Sequence, residues 1–190
     1  QALIMGPAYV GRDSRIKAGA KIYEGSTIGP ICKIGGEVED SVFHSYANKQ
    51  HDGFVGHSYF APWTNLGADS ITSDLKNNYS GIRVTIEGRS YDTGRTFLGT
   101  IMADHSKCAI NTMFNTGSII GVGCNIFGGD FPPKFLPCFS WGGAAGVSEY
   151  DFTRFAATAA VVMERRGKVL TDAERRLLLD VLSHTADQRS

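Results

Sequence analysis

The sequence carries no excess charge of either sign, because 19 lysine and arginine residues balance 19 aspartate and glutamate residues. A neutral chain has no general attraction to nucleic acid or to an anionic membrane, so we predict neither as a partner. No apolar run is long enough to cross a bilayer, and the first residues lack the basic and apolar pattern of a signal peptide. The four cysteines form no CxxC pair, which argues against a zinc knuckle or a disulfide scaffold. We therefore expect a soluble, cytoplasmic protein.

Two common catalytic motifs are also missing. The chain has no GxSxG nucleophile elbow and no glycine-rich loop that ends in Gly-Lys-Ser or Gly-Lys-Thr. A serine hydrolase and a P-loop nucleotidase therefore lose support.

The most regular feature that is present is a six-residue spacing of large apolar side chains. It runs through Ile4, Val10, Ile16, Ile22, Ile28 and Ile34, and it returns at Met102, Cys108, Phe114, Ile120 and Ile126. A small residue stands at the fourth place after most of them, as Ala8, Ser14, Ala20 and Ser26 do after the first four. This period fits neither a helix nor simple strand alternation, and a β-sandwich would not keep it over so many residues.

A six-residue unit is one short strand and one corner, so three units make a triangular coil. Successive coils stack through parallel strand hydrogen bonds, with each apolar residue pointing into the shaft. We therefore predict an all-β parallel solenoid, with Cys32, Cys108 and Cys124 as small fillers at inward or corner positions. The spacing does not fix the hand of the coil.

The frame breaks twice, at about residues 37–54 and 73–95. We predict both segments to be loops, and insertions in a solenoid are the parts that carry function. The segment 44–84 is the densest polar stretch and contains His44, His51 and His57. Because residues six apart lie on adjacent faces rather than one above another, we do not predict a metal site from these histidines.

The six-residue frame ends after Gly128, and we expect a strap and a helical tail beyond it. The proline- and glycine-rich stretch that follows predicts an irregular strap that closes the coil stack. A helix is predicted to open at Ser148 and Asp151, and a second one at a capping box of Thr171 and Glu174. We expect a β-helix domain at 1–147 and a helical tail at 148–190, with the apolar stripes of the tail packed either on a second subunit, which we favour, or on the same chain.

The residues in the polar segment resemble a known enzyme family. The strings NKQHDGF, GHSY, NLGA and SDLKNNY look like the carboxy-terminal half of the bifunctional UDP-N-acetylglucosamine pyrophosphorylase and glucosamine-1-phosphate acetyltransferase family, in a branch typical of sugar nucleotidyltransferases. The interval from His51 to Asn65 equals the interval between the matching histidine and asparagine of that family. The match is specific at residues 49–79 and is a general hexapeptide pattern elsewhere.

The resemblance implies a left-handed parallel β-helix with a C-terminal helical extension. It further implies acetyl transfer from acetyl-CoA to the amine of a hexosamine 1-phosphate, in a cleft between the subunits of a homotrimer. His51 falls on the catalytic histidine, and an imidazole suits proton removal from an amine at neutral pH. Asn65 falls on an asparagine near the sugar and the acetyl group. No metal is expected.

Several positions depart from the family pattern, all of them in the expected binding region. Lys17 replaces a phosphate-gripping arginine, Ser41 replaces a lysine, Phe54 replaces a tyrosine and Asp74 replaces an asparagine. Lys49 or Lys76 would have to compensate for the lost phosphate contacts. These departures keep an alternative open, a noncatalytic β-helix that oligomerises or regulates a sugar-1-phosphate nucleotidyltransferase domain.

For acetyl-CoA, the resemblance and the small side chains predict binding at Ala68 and Thr100, with Lys107 meeting a phosphate. The chain starts at Gln1 rather than at a methionine, and no part of it resembles the family's nucleotidyltransferase domain. We therefore expect a piece of a longer protein.

Overall fold

The computed structural model describes residues 1–189, so Ser190, the last residue of the predicted tail, lies outside the described residues. The strands, in chain order, are β1 (Leu3–Ile4), β2 (Tyr9–Val10), β3 (Arg15–Ile16), β4 (Lys21–Ile22), β5 (Thr27–Ile28), β6 (Lys33–Ile34), β7 (Glu37–Glu39), β8 (Val42–Phe43), β9 (Asn48–Lys49), β10 (Phe54–Gly56), β11 (Tyr59–Phe60), β12 (Ile71–Thr72), β13 (Arg83–Ile86), β14 (Arg89–Asp92), β15 (Thr100–Met102), β16 (Lys107–Cys108), β17 (Met113–Phe114), β18 (Ser118–Ile120), β19 (Asn125–Ile126), β20 (Phe135–Leu136), β21 (Ser140–Gly143) and β22 (Gly146–Glu149). Two α-helices follow, α1 (Phe152–Glu164) and α2 (Asp172–His184), and then a short 3-10 turn at Ala186–Arg189.

The strands form the three faces of a prism. The first face contains β1, β4, β7 and β10, continued by the pair β12 and β17. The second face is one parallel sheet in the order β2, β5, β8, β11, β15, β18 and β20. The third face joins β3, β6 and β9 to β16, β19 and β21 through bridges of Asn65 to Asn48 and to Lys107. This stack of about eight turns matches the left-handed β-helix with a helical extension that we predicted.

The shaft of the prism holds the apolar residues of the six-residue frame. Ile22, Ile28 and Ile34 have no exposed surface, and Ile16 packs against the same core. The thiols of Cys32, Cys108 and Cys124 are buried there too, and none of the three is in a disulfide. The inward direction of these side chains, on which the fold prediction depended, is therefore confirmed.

The first break in the frame is not a loop, contrary to our prediction. Residues 37–54 continue the coil through β7, β8 and β9, with Val38 and Phe43 buried in the shaft. The frame is lost because the corner between Ile34 and Val38 is short and because Lys49, a charged residue, takes an inward position.

The second break is an insertion, as predicted. It separates β12 on the first face from β15 on the second face and contains the antiparallel hairpin of β13 and β14. Ile82 and Val84 anchor this hairpin, because both are buried and a Cβ on Gly117 of the coil would lie 2.9 Å from Ile82 Cγ2. The insertion is therefore packed on the prism.

The stretch after Gly128 is more regular than the irregular strap that we predicted. Strand β20 extends the second face and β21 extends the third face, so both continue the coil. Strand β22 then turns back antiparallel to β21 and covers the edge of that sheet.

The helices have an apolar core in common with the coils of the same chain. A separate core contains Phe139 of the coil with Phe155, Ala156 and Ala159 of α1 and Leu178 of α2. At the far end of α1, Arg166 Nη1 donates to the carbonyl oxygen of Ile31 at 3.2 Å. Helix α1 therefore runs along several coils.

The helix caps follow the sequence with one correction. Asp151 alone caps α1 by accepting from the Arg154 amide, while Ser148 lies in β22. The capping box of Thr171 and Glu174 is confirmed at the start of α2. In the chain up to Arg189, no helix combines the length and the apolar character that a membrane crossing requires.

Candidate functional site

The edge between the third and first faces, called the third edge here, is formed by residues 17–20, 35–36, 50–53, 67–70 and 109–112. The corner at 35–36 is shorter than the others, which leaves a recess under the corner above it. This recess has a volume of about 230 Å³ and is lined by Gly19, Lys21, Gly36, Glu37, Asp52, Gly53 and Phe54. Phe54, a predicted substrate-binding residue, therefore faces a small cavity on this edge.

Lys49 stabilises the short corner at residues 35–36. Its side chain points into the shaft and is 1% exposed, and its Nζ donates to the carbonyl oxygens of Gly35 at 3.0 Å and His51 at 2.7 Å. Gly36 has a φ of +70°, and a Cβ there would lie 2.5 Å from Lys49 Nζ. Burial lowers the pKa of Lys49 to about 8, and the carboxylates of Asp52 and Asp69 partly oppose that shift.

This position does not suit the predicted contact of Lys49 with a substrate phosphate. An ammonium group that lies inside the shaft and is held by two backbone carbonyls does not reach a ligand on the surface. Its role in this structure is to satisfy carbonyl groups at the corner that carries His51.

His51 lies on the third edge with its side chain exposed to solvent. Across residues 1–189, its ring makes no hydrogen bond, and its backbone carbonyl is fixed by Lys49. Ala68 lies on the same edge one coil above and is partly exposed, and Lys17 lies two coils below and is exposed. The structure therefore brings four predicted residues, His51, Phe54, Ala68 and Lys17, to one edge of the prism.

Asn65 and Lys107 meet in a groove between α1 and the third face, called the helix groove below. The groove has a volume of about 360 Å³, and its lining comprises Lys33, Asn48, Gln50, Trp63, Asn65 and Lys107 from the coils and Thr158, Val162, Arg165 and Arg166 from the helical segment. Gln50 precedes His51 directly, so the groove begins next to the corner that carries the imidazole.

Hydrogen bonds fix the orientation of Asn65. Arg166 Nη2 donates to Asn48 Oδ1 at 2.7 Å, and Asn48 Nδ2 donates to Asn65 Oδ1 at 3.4 Å. Because guanidinium only donates, Asn48 must present its oxygen to Arg166 and its NH₂ group to Asn65. Among residues 1–189 the NH₂ group of Asn65 has no acceptor, so it is left as a donor for a ligand.

Lys107 is largely buried in the wall of this groove. Its Nζ donates to the carbonyl oxygen of His105 at 2.9 Å, and burial lowers its pKa to about 8. The lysine is therefore held in place in the wall of the groove.

A histidine that the sequence argument passed over is the best-oriented imidazole in the structure. His57 Nδ1 lies 2.8 Å from Asp74 Oδ2, and His57 Nε2 lies 3.5 Å from Asp40 Oδ2, at the edge between the first and second faces. The ring also stacks on Phe97 with a centroid distance of 4.9 Å. The 17-residue separation of His57 from Asp74 equals one coil at this height, which is the sequence signal that would have predicted the pair.

Two other predicted residues lie away from both the third edge and the helix groove. Lys76 closes the start of the insertion by donating to the carbonyl oxygen of Gly81 at 2.7 Å. Thr100 has no exposed surface, and its hydroxyl is buried without a hydrogen-bond partner among residues 1–189, so its side chain is not accessible to acetyl-CoA in this chain.

The three histidines of the polar segment lie on three different edges. His44 is on the edge between the second and third faces, His51 is on the third edge, and His57 is on the edge between the first and second faces. Within residues 1–189, no three histidine, cysteine, aspartate or glutamate side chains are grouped so that they could hold a metal ion.

Comparison with known proteins gives two relatives and no matching family profile. The chain is 30% identical over 99 residues to a bifunctional sugar-1-phosphate nucleotidylyltransferase/acetyltransferase of Sulfurisphaera tokodaii, a match that covers 51% of this chain and 25% of that protein. It is 30% identical over 88 residues to the bifunctional protein GlmU of Methanocaldococcus jannaschii, which covers 46% of this chain and 21% of that protein. The match spans about a quarter or less of the length of either relative. The resemblance inferred from the sequence is confirmed by these two matches, and the β-helix fold is consistent with the hexapeptide-repeat part of such proteins.

Proposed function

We propose that this chain is an acetyltransferase-type domain of a sugar-nucleotide enzyme, which moves an acetyl group from acetyl-CoA to the amine of a hexosamine 1-phosphate. The similarity to a protein named as a nucleotidylyltransferase/acetyltransferase supports this class of reaction. The observation that carries the proposal is structural: His51 is exposed and directly follows Gln50, which lines the groove that contains the NH₂ group of Asn65.

In this proposal His51 acts as the general base. The amine nitrogen attacks the thioester carbon, and a C–N bond forms while the C–S bond breaks. The nitrogen gives up a proton to the imidazole, which returns it to the departing thiolate of coenzyme A. The Asn65 NH₂ group is placed to donate to the oxygen that becomes negative in the tetrahedral intermediate or to orient the sugar.

The remaining binding roles are assigned to fewer residues than the sequence predicted. Lys17, exposed below His51, is proposed to meet the sugar phosphate, whereas Lys49 is given no ligand contact because it is buried. Ala68 and Lys107 are proposed to meet acetyl-CoA, and Thr100 is not, because its side chain is inaccessible.

We also propose that the working unit is a homotrimer that associates through the second face. One row of outward residues on that face is mostly apolar, and consists of Tyr9, Thr27, Val42, Tyr59, Ile101, Ile119 and Phe135. The matching row on the third face is mostly polar or basic. An exposed apolar strip along a flat sheet is typical of a protein interface, and a closed ring of copies would cover it.

The trimer is tested by measuring the mass of the chain in solution with size-exclusion chromatography and light scattering. Ile101 and Ile71 are similarly exposed, but Ile101 is in the apolar row and Ile71 is on the first face. The substitution Ile101→Lys should dissociate the trimer, and Ile71→Lys should not. A monomeric parent protein, or equal effects of the two substitutions, would refute this interface.

A noncatalytic β-helix remains the second candidate, and specific observations favour it. Ser41, which stands at the place of a family lysine, is fully buried. Asp74, at the place of a family asparagine, is already engaged with His57. Two positions that would contact substrate are thus occupied in other ways, which suits a chain that oligomerises or regulates a nucleotidyltransferase domain.

The enzyme proposal is tested by incubating the chain with acetyl-CoA and a panel of hexosamine 1-phosphates while free thiol is measured. His51→Asn should lower kcat by about 10²- to 10⁴-fold, the usual contribution of a general base. His44→Asn is the matched control, because His44 is also exposed but bonds to Ser45 on another edge. His57→Asn tests the other oriented imidazole.

Each outcome of this assay decides between the candidates. Activity that survives in His51→Asn and disappears in His57→Asn would transfer the role of base to the pair of His57 and Asp74. If no hexosamine 1-phosphate of the panel leads to thiol release, the result would favour the noncatalytic β-helix.

A further inference from the structure

The helix groove concentrates positive charge in a molecule whose net charge is zero. Lys33 and Lys107 come from the third face, and Arg165 and Arg166 directly follow the last residue of α1. No carboxylate lines the groove, and over residues 1–189 none of these four side chains forms an ion pair. Four cations are therefore held around one cavity without a counterion from the described chain.

This arrangement has an electrostatic cost in the unliganded protein. The charge of Arg166 is the main cause that lowers the pKa of Lys33, and burial lowers the pKa values of Lys107 and Arg166. Cations that repel one another are stabilised by an anion placed between them. The groove thus has the electrostatic character of an anion site.

The hydrogen-bonding capacity of the groove adds a second requirement on the ligand. Lys107 uses one of its three N–H groups on the His105 carbonyl, and Asn65 presents a free NH₂ group. Gln50 adds another amide to the lining. Amide groups beside a cluster of cations suit a ligand that carries hydroxyl or carbonyl groups next to its negative charge.

The size of the groove limits the ligand to a small molecule. A volume of about 360 Å³ falls in the range of pockets that enclose small ligands. Arginine pairs with phosphate through two parallel hydrogen bonds, and two arginines and two lysines match a doubly charged group better than a single carboxylate.

We propose that the helix groove binds a phosphorylated small molecule, with its phosphate group among Lys33, Lys107, Arg165 and Arg166 and its polar groups at Gln50 and Asn65. The phosphate site itself does not rest on the proposed function. Arg165 and Arg166 lie outside the hexapeptide repeats, so the helical tail contributes directly to ligand binding.

The site is tested by isothermal titration calorimetry of the full chain at low salt without acetyl-CoA. The probes are inorganic pyrophosphate, glucosamine 1-phosphate and glucosamine. Pyrophosphate and the sugar phosphate should bind, and glucosamine should not. A parent chain that binds neither phosphate compound, or that binds glucosamine equally well, would overturn the proposal.

Two substitutions locate the bound phosphate. Lys33→Gln and Arg165→Gln should each weaken pyrophosphate binding by about tenfold or more, because a hydrogen bond to a charged group contributes about 1.5–3 kcal/mol. Arg154→Gln is the matched control, since Arg154 is an exposed arginine at the other end of α1 and outside the groove. Equal weakening by all three substitutions would indicate general electrostatic attraction and refute the site.

Unchanged thermal unfolding of each variant shows that the fold is intact. Comparing phosphate binding with thiol release also separates this proposal from the proposed acetyl transfer. Phosphate binding without thiol release would support the phosphate site and refute acetyl transfer. Thiol release by the parent, with phosphate binding unchanged in Lys33→Gln and Arg165→Gln, would support acetyl transfer and refute the phosphate site.

Discussion

Replacing Lys49 with methionine should change how the stability of the protein depends on pH. The pKa of Lys49 is lowered by burial from 10.5 to about 8 in the folded chain. Between these two values the unfolded chain binds one more proton at this residue than the folded chain does, so the free energy of unfolding rises with pH. At about 1.36 kcal/mol per pKa unit, the whole window corresponds to about 3 kcal/mol.

The comparison is made between the parent protein and Lys49→Met in urea unfolding at pH 7, 8, 9 and 10.5, followed by far-ultraviolet circular dichroism. Methionine also removes the two hydrogen bonds to the carbonyls of Gly35 and His51, and the loss of these bonds from the neutral amine is an offset that does not depend on pH. The change in the difference with pH therefore isolates the lysine charge. The free energy of unfolding of the parent, relative to that of the variant, should rise by about 3 kcal/mol between pH 7 and pH 10.5.

Lys17→Met provides the control, because Lys17 is an exposed lysine on the same edge. Its difference from the parent should stay flat across this pH range. A difference between the parent and Lys49→Met that is equally flat would show that the ammonium is not buried as described, and the account of the short corner would be wrong.

Three further results are expected. Gly36→Ala should lower the free energy of unfolding by about 1–3 kcal/mol, since φ is +70° and a Cβ would lie 2.7 Å from the His51 carbonyl, whereas Gly81→Ala, with open space around it, should change little in the same urea assay. Thr171→Ala should cost about 1 kcal/mol by removing the cap of α2, and an unchanged unfolding midpoint would contradict that role. Pyrophosphate affinity should fall as pH rises through about 8, where Lys107 loses its proton, and calorimetry of Lys107→Gln should show a shallower pH dependence.

The sequence was sufficient to predict the coil because the period is carried by side chains that fill the shaft. Ile22, Ile28 and Ile34 recur at the spacing of one side of the prism, and burial follows from that geometry. The prediction failed at residues 37–54 for a physical reason. A pattern of hydropathy does not recognise Lys49 as an inward residue, because only the three-dimensional structure shows the carbonyl groups that stabilise its charge.

The candidate site was predictable only in part. His51 and Asn65 follow from the resemblance, and His57 with Asp74 was recoverable from the length of one coil. The helix groove was not, since the contact of Arg166 with Ile31 joins residues 135 positions apart and depends on how the tail folds back. Contacts of that separation leave no periodic signal in a single sequence.

Helix α1 has a consequence for how this chain comes apart. In a linear stack each coil is stabilised only by its neighbours, so such molecules can unzip gradually from an end. Here helix α1 is held near the last coils by Phe155, and the residue Arg166 that follows it is bonded to an early coil. Opening any coil between these two contacts strains both of them. We therefore expect the β-helix and helix α1 to unfold on heating in a single cooperative transition.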